Sequence, residues 1–447
     1  MKVTKFGGSS LANSGQLKKV LNIIQADSER RFIIVSAPGK RHGDDTKVTD
    51  LLIEYALTFL NHESTESIEK QIISRYQEIS DDLGLSQAMP EIRSYIESLK
   101  KTSHTSTARV MDLFKSSGEN CHAMLIAEFL TANGTPAKYV HPKEAGILVD
   151  DIPGDAMIKP EAYDLIVKLR DLEVVAVIPG FFGYTAEGEI CTFSRGGSDV
   201  TGSIIAAGTH ADLYENFTDV DAIYAANPSI IKNCQAISEL TFKEMRELSY
   251  SGFTVLHDEA LIPAFHANVP VVIKNTNNPE APGTRISSSR ELNEKTVIGI
   301  AGDDGFTSIY LSKYLMNREI GFGYNILKIL KEFNLTYDHM PSGVDNITII
   351  LRQSQLTPEL EGQLLQRLDE VLHLDEIQVK HDISMIAIVG EGMRNSIGVA
   401  SRATSALSKE NINIEMINQG ASEVSILFAI DQVQEKQAIQ TLYHAFF

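Results

Sequence analysis

Residues 306–447 repeat themselves at a constant offset of 77 positions, and this repeat restricts the fold of the C-terminal third more than any other feature of the chain. Ile320 and Gly321 return as Ile397 and Gly398, and Leu330 returns as Leu407. Asn334 and Leu335 return as Asn411 and Ile412, Gly343 as Gly420, and Ile347 and Ile349 as Val424 and Ile426. Each copy reads strand, helix, strand, strand, helix. Ile326, Leu327, Leu330 and Phe333 have the i, i+1, i+4, i+7 spacing of a helix face laid on a sheet. After its second helix the first copy still has a strand, residues 376–381, but the second copy ends at Phe447. Its missing strand is expected from elsewhere, and VIGIA, residues 297–301, is the candidate.

Upstream, short β-branched runs (VTKF, FIIVSA, VVAVIPG, ADLYENF, PVVIK) alternate with helical patterns near residues 17–24, 49–80, 108–131 and 200–208. Such alternation predicts an α/β domain built on a largely parallel central sheet. The charged segment 64–103 reads as a helical excursion from that sheet. A polar stretch, SSSRELNEK at residues 287–295, marks the expected boundary, giving domains at 1–295, 296–382 and 383–447, with 296–304 lending the second repeat its strand.

Charge narrows the functional classes. Lys and Arg number 40 against 59 Asp and Glu, and 40 − 59 gives −19. A field of that sign repels nucleic acid, so an anionic substrate needs a local cluster of donors. Cys121, Cys191 and Cys234 stand alone, which argues against a disulfide framework or a Cys-based zinc site and fits a reducing cytoplasm. His122, His257 and His266 form no ligand pair and read as structural. The N-terminus has no apolar h-region, and the longest apolar stretch, residues 174–184, is interrupted by Pro179 and Gly180; neither a signal peptide nor a membrane span is expected.

Three segments carry chemistry. VTKFGGSSL sets a lysine and two glycines between a strand and a helix, where free N–H groups can face an anion, although a plain Gly-Gly turn reads the same. SRGGSD places Arg195 and Asp199 at a strand-to-helix turn; an arginine there can grip a carboxylate in bidentate fashion, while Ser198 or Asp199 could equally serve only as an N-cap. NFTDVDAIYAANP offers a polar loop able to frame a nucleotide, as would a solvated turn.

In this order KFGGSS, IIVSA, SSGEN, GFFG, SRGGSD, NFTDVDAIYAANP and the paired repeats closely resemble the aspartokinases, members of the amino acid kinase family with tandem ACT domains. The resemblance spans essentially the whole chain, and the length resembles that of monofunctional enzymes. It implies an open, carbamate kinase-like sheet with helices on both faces, followed by two ferredoxin-like ACT modules. It further implies ATP-dependent phosphorylation of the L-aspartate side chain to 4-phospho-L-aspartate, the first step toward lysine, threonine and methionine. Carried over by position, Lys5 matches the lysine on the transferring phosphate, and Gly7, Gly8 and Ser9 match the phosphate turn. Ser36, Thr49, Glu119, Phe181 and Arg195 match aspartate-binding positions, with Arg195 on a carboxylate and Glu119 on the ammonium. Asp199 matches the catalytic aspartate, and Thr218, Asp219 and Tyr224 match the adenine-nucleotide loop. Mg²⁺ is expected on the ATP phosphates, with no protein-only metal site.

Two departures stand out. Asn227-Pro228-Ser229 replaces an Asp-Pro-Arg pattern, and Thr254 replaces a lysine; both remove charge near the expected phosphates, with Lys232 and Lys274 as candidate substitutes. The ACT resemblance implies feedback control by lysine, alone or with threonine, at Met316, Phe322 and Asp338, and a homodimer through the ACT modules that can become a tetramer. Glu319 and Gly323 differ from the lysine-sensitive pattern, and core packing is the competing reading of Met316. Glutamate 5-kinase activity is disfavoured by TDVDAIY, and a pure amino-acid sensor by the intact Lys5, Glu119, Arg195 and Asp199.

Overall fold

A computed structural model describes every residue except Thr105, Arg195, Asp258, 292–295, Asn395 and Glu423. The chain divides into two compact units. One comprises Met1–Ile223, Ala236–Arg246 and Thr254–Arg290; the other comprises Tyr224–Gln235, Glu247–Phe253 and Glu291–Phe447.

The first unit is built on an eight-stranded sheet. Its strands are β1 (Lys2–Phe6), β2 (Arg30–Val35), β3 (Ala137–Tyr139), β4 (Val175–Pro179), β7 (Leu213–Thr218), β8 (Glu239–Thr241), β9 (Val271–Asn275) and β10 (Thr284–Ser287), while Phe182–Tyr184 and Ile190–Thr192 form a separate hairpin, β5 and β6. The order is β8-β10-β9-β7-β1-β2-β4-β3, parallel throughout except where β9 meets β10. The strands read as unbroken apolar runs because both faces are covered, as parallel sheets require. Phe6, Ile33, Val35, Val177 and Phe217 face a layer formed by α1 (Ser14–Gln25), α2 (Val48–Leu60), α3 (Glu66–Leu83), α4 (Met89–Ser98) and α5 (Thr107–Ala132). The helical pattern at 49–80 is thus two helices, parted by a turn at residues 61–65, and the excursion at 64–103 completes this layer.

The opposite face takes α6 (Gly197–Gly208), rich in Gly, Ala and Ser. Small residues let it lie close to the sheet. A Cβ on Gly202 would stand 2.4 Å from the Tyr214 hydroxyl, and Tyr214 is fully buried.

The second unit contains a five-stranded antiparallel sheet. Its strands are β11 (Gly299–Ser312), β12 (Asn346–Arg352), β13 (Glu376–Val389), β14 (Met416–Asn418) and β15 (Ser425–Asp431), in the order β12-β11-β13-β15-β14. Both copies of the repeat feed this one sheet. Residues 376–381 and 383–389 are not separate strands but one, and residues 299–303 pair with 385–389 while 306–312 pair with 376–383. The second strand expected in the first copy, LTYDHM, is only an isolated bridge between His339 and Ile350, and its counterpart INIEMI shortens to β14.

The helices are α7 (Phe322–Glu332), α8 (Pro358–Leu372), α9 (Val399–Lys409) and α10 (Glu435–Phe446). In α7 the buried face is Phe322, Ile326, Ile329 and Leu330, whereas Leu327 is exposed; a 3.6-residue period selects i+3 and i+4, so the expected i+1 position turns outward. The repeat's matched residues have a backbone reason. Gly321 and Gly398 precede α7 and α9 with φ of 85° and 93°, and Asn334 and Asn411 follow them with φ of 54° and 56°. These are left-handed positions that Gly and Asn tolerate best.

Gly202→Ala forces a methyl group against Tyr214 and should cost about 1–3 kcal/mol of stability. Urea unfolding of the purified variant checks this, and an unchanged midpoint would count against the close approach of α6.

Candidate active site

The order of the sheet creates the site. Leaving β1, the chain builds outward through β2 and β4 on one side and returns to place β7 on the other. The strand order therefore reverses at β1, and the carboxyl ends around such a point leave a crevice. A cavity of about 660 Å³ opens there. From β1 and its turn it receives Lys5, Gly7, Gly8 and Ser9; from beyond β2, Ser36, Gly39, Lys40, Lys47 and Thr49; from α5, Glu119; from beyond β4, Phe181; from the start of α6, Ser198 and Asp199; and from the end of β7, Thr218 and Asp219. That is room for two small ligands at once.

Lys5 and Asp199 form its centre. The Lys5 ammonium lies 2.5 Å from Asp199 Oδ1, and both side chains are largely buried. Asn216, opposite Lys5 in the parallel register of β1 and β7, donates Nδ2 to the same carboxylate at 2.7 Å and accepts from Lys5 at 3.4 Å. Asp199 is held again through its backbone, whose carbonyl accepts from the Tyr214 hydroxyl at 3.2 Å. Asn216 went unassigned in the sequence because its role comes from a pairing across 211 residues.

The turn of Gly7, Gly8 and Ser9 is closed by contact between glycines. Gly39 donates its N–H to the Gly8 carbonyl at 2.9 Å, and a Cβ on Gly39 would fall 2.6 Å from the Gly8 carbonyl carbon. Only two bare backbones can meet so closely, and Gly7, Gly8 and Ser9 line the cavity beside them.

Glu119 is deeply buried in α5, and its Oε2 has no hydrogen-bond partner. Desolvation pushes its carboxyl up to about 8, despite a hydrogen bond from Ala37 and the charge of Lys115. A buried, half-satisfied carboxyl at a cavity wall suits a cationic ligand group. Beside it His122 is fully buried, with Nδ1 2.9 Å from the Ser36 carbonyl, so this ring nitrogen carries the proton; burial pushes the imidazole down to about 4, and the neutral ring is a structural support.

Phe181 adopts φ of 81°, costly for a non-glycine residue. Its two peptide groups are fixed: its N–H donates to Thr201 Oγ1 at 3.0 Å, and its carbonyl accepts from Phe193 at 2.8 Å. A Cβ on Gly197 would come within 2.5 Å of the Phe181 ring, so the first turn of α6 closes against it.

Of the residues singled out in the sequence, Lys5, Gly7, Gly8, Ser9, Ser36, Thr49, Glu119, Phe181, Asp199, Thr218 and Asp219 share this cavity. Arg195 lies outside the described residues. Tyr224 begins a segment of the second unit. In that unit Met316 and Phe322 belong to the apolar core beneath the first repeat, and Asp338 accepts a hydrogen bond from the Tyr250 hydroxyl at 2.8 Å. Among the described residues no group of three or more His, Cys, Asp or Glu could hold a metal, and no helix is long and apolar enough to cross a membrane.

Comparison with known proteins gives concordant matches. The profile of the amino acid kinase family matches residues 1–275, and that of the ACT domain matches residues 386–446. The chain is 51% identical to aspartokinase 3 of Bacillus subtilis, covering 100% of this chain and 99% of that protein. Aspartate kinase of Clostridium acetobutylicum superposes with a TM-score of 0.87 at 39% identity, each chain covered fully. Escherichia coli aspartokinase III, 24% identical, superposes with TM-scores of 0.77 in its complex with aspartate and ADP and 0.74 in its complex with lysine and aspartate; both complexes cover all of this chain and 100% and 99% of theirs.

Glu119 makes a testable contribution to stability. Its ordinary value is 4.5, and in the folded chain the proton is kept to about 8. Unfolding therefore releases a proton between these values, and stability falls as pH rises through the window. Glu119→Gln should match the parent near pH 4.5 and exceed it by on the order of 2–4 kcal/mol at pH 8 in the absence of ligands. A difference constant across that range would remove the buried-acid account.

Proposed function

The chain belongs to the aspartokinases of the amino acid kinase family, and from that membership we propose how its side chains carry the reaction. The reaction is ATP-dependent phosphorylation of the L-aspartate side-chain carboxylate to 4-phospho-L-aspartate, the first step toward lysine, threonine and methionine, under allosteric control through the ACT region.

The observation that carries the site assignment is the pairing, in one cavity, of a cation locked by two partners with a buried acid left half-satisfied. Glu119 takes the aspartate ammonium, with Ser36, Thr49 and the strained peptide of Phe181 framing the substrate and Arg195 on a carboxylate. Gly7, Gly8 and Ser9 bear on the phosphates, and Thr218, Asp219 and Tyr224 on the nucleoside. The acceptor carboxylate has an ordinary pKa near ~4 and arrives ionised, so no strong general base is needed. One of its oxygens forms the new P–O bond as the bond to ADP breaks. What remains is positioning and charge neutralisation.

Lys5 supplies the positive charge and Asp199 aims it. Asn216 donates to the same carboxylate oxygen that Lys5 contacts, and so fixes the pair. Mg²⁺, carried by the ATP phosphates, would supply further charge neutralisation.

The division at 1–295, 296–382 and 383–447 is proposed as kinase domain and two ACT modules. Lysine, alone or with threonine, is the proposed effector, supported by the lysine complex of the Escherichia coli relative. With Met316 and Phe322 committed to the core, their backbone and Asp338 are what the first module offers it. A homodimer through the ACT modules, becoming a tetramer on inhibition, and a cytoplasmic site of action complete the reading; three free cysteines accord with the latter.

Trapping the acyl phosphate with hydroxylamine should give product with L-aspartate and none with L-glutamate, suppressed by added lysine. Asp199→Asn should lower kcat by about 10²–10³ with Lys5 left unaimed. Because desolvation keeps the proton on Glu119, aspartate binding at pH 7 should release a proton, seen as a dependence of binding heat on buffer ionisation enthalpy. Product from glutamate, parental kcat in Asp199→Asn, or no proton release would each remove the corresponding assignment.

A further inference from the structure

The geometry points to Lys47 as a second cation on the phosphoryl group being transferred, held in place by Arg75 of α3. This rests on the assignment of the cavity to aspartate and MgATP.

Charge at the centre of the site is scarce. The Lys5 ammonium is already matched by Asp199 at 2.5 Å. Ser229 and Thr254 stand where cations were expected, and both donors of Ser229 are spent on Asn227 Oδ1, at 3.0 Å and 2.8 Å. A triphosphate meeting two carboxylates in a chain of net charge −19 needs more than one lysine to offset the repulsion.

The loop between β2 and α2 supplies two more. Lys40 and Lys47 line the same cavity as Lys5, Gly8 and Asp199. The loop's ends are tied down by Gly39 N–H on the Gly8 carbonyl at 2.9 Å and Val48 N–H on the Pro38 carbonyl at 3.2 Å. Arg75, only 5% exposed, donates to the carbonyls of Gly39 and Thr46, each at 2.8 Å. These are the residues immediately before Lys40 and Lys47. Asp45 fastens the span between them, accepting from the Arg41 backbone and side chain at 2.9 Å and pairing with Arg75 at 3.1 Å. A buried guanidinium bonded to both ends of one loop is a rigid brace, and the two residues it braces each lead into a lysine.

The two lysines differ. The Lys40 ammonium is turned back onto the Gly43 carbonyl at 3.3 Å. Lys47 occupies the position before the first turn of α2, two residues from Thr49, and its ammonium has no hydrogen bond or ion pair among the described residues. An uncommitted ammonium in the same cavity as Lys5 and Asp199, two residues from Thr49, is available to the phosphoryl group being transferred. It would neutralise charge on the equatorial oxygens as the bond to ADP loosens. Arg75 is then a positioning residue, touching neither substrate.

The test compares full-length Lys47→Ala and Lys47→Arg with the parent, reading kcat, KM for aspartate, the dissociation constant of ADP and the melting temperature. A contact to the transferred group alone predicts that Lys47→Ala loses about tenfold or more in kcat, while KM for aspartate, ADP affinity and melting temperature stay within twofold or unchanged. Lys47→Arg should recover most of the rate. Parental kcat in Lys47→Ala overturns the proposal, as does an ADP affinity that falls as far as kcat. Asp199→Asn, run alongside, separates the premise from the inference: parental kcat there would indicate that the cavity itself is wrongly assigned.

Discussion

The buried pair of Lys5 and Asp199 is the constraint around which the first unit is arranged. Neither charge could stay in so dry a place alone, since removing one partner of a buried pair strands the other at a cost of about 3–5 kcal/mol. Keeping them together requires that β1 and β7 be neighbours in parallel, so that Asn216 falls opposite Lys5. It also requires that α6 lie low enough on the sheet for Asp199 to reach down to it. Gly202 under the Tyr214 hydroxyl and Gly197 against Phe181 are the two clearances that permit this. Sheet order, helix composition and the left-handed backbone of Phe181 are thus terms of one arrangement.

Much of this was legible in the sequence, for a reason that also marks the limit. Strands such as VVAVIPG and helices such as 358–372 declare themselves through local periodicity, and SRGGSD and KFGGSS keep their chemistry within a few residues of each other. Asn216 was invisible because its meaning depends on register across the whole kinase half. The brace of Arg75, Gly39 and Thr46 was invisible for the same cause: two carbonyls and a guanidinium carry no pattern until a helix is laid beside the loop. Lys232 and Lys274 were chosen as substitute cations by proximity along the chain, whereas the lysines lining the cavity beside Lys5 are Lys40 and Lys47. LTYDHM failed as a strand because β propensity cannot supply a partner; only His339 finds a bridge.

Glu119 and Asp199 show how one fold can hold two acids to different tasks. Asp199 pairs with an ammonium and accepts from an amide, while Glu119 sits where solvent is excluded and one oxygen is unsatisfied. The first is placed to orient the Lys5 ammonium. Desolvation favours the protonated form of the second, so a positive group binding beside it would displace a proton.

The two long strands β11 and β13 each run through both copies of the repeat, and this bears on how the regulatory unit can have arisen and how it can be cut. The second copy is discontinuous, its sheet combining residues 299–303 with 383–431, so the first copy is nested inside it rather than set in front of it. Duplication of a single gene segment gives tandem copies, and nesting then requires an exchange of terminal strands between them. Neither copy can be excised with its sheet intact: a fragment beginning at 383 would expose the edge of β13 that residues 299–303 now cover, and unpaired edges invite aggregation. The smallest piece of this unit that keeps its sheet intact is therefore the pair.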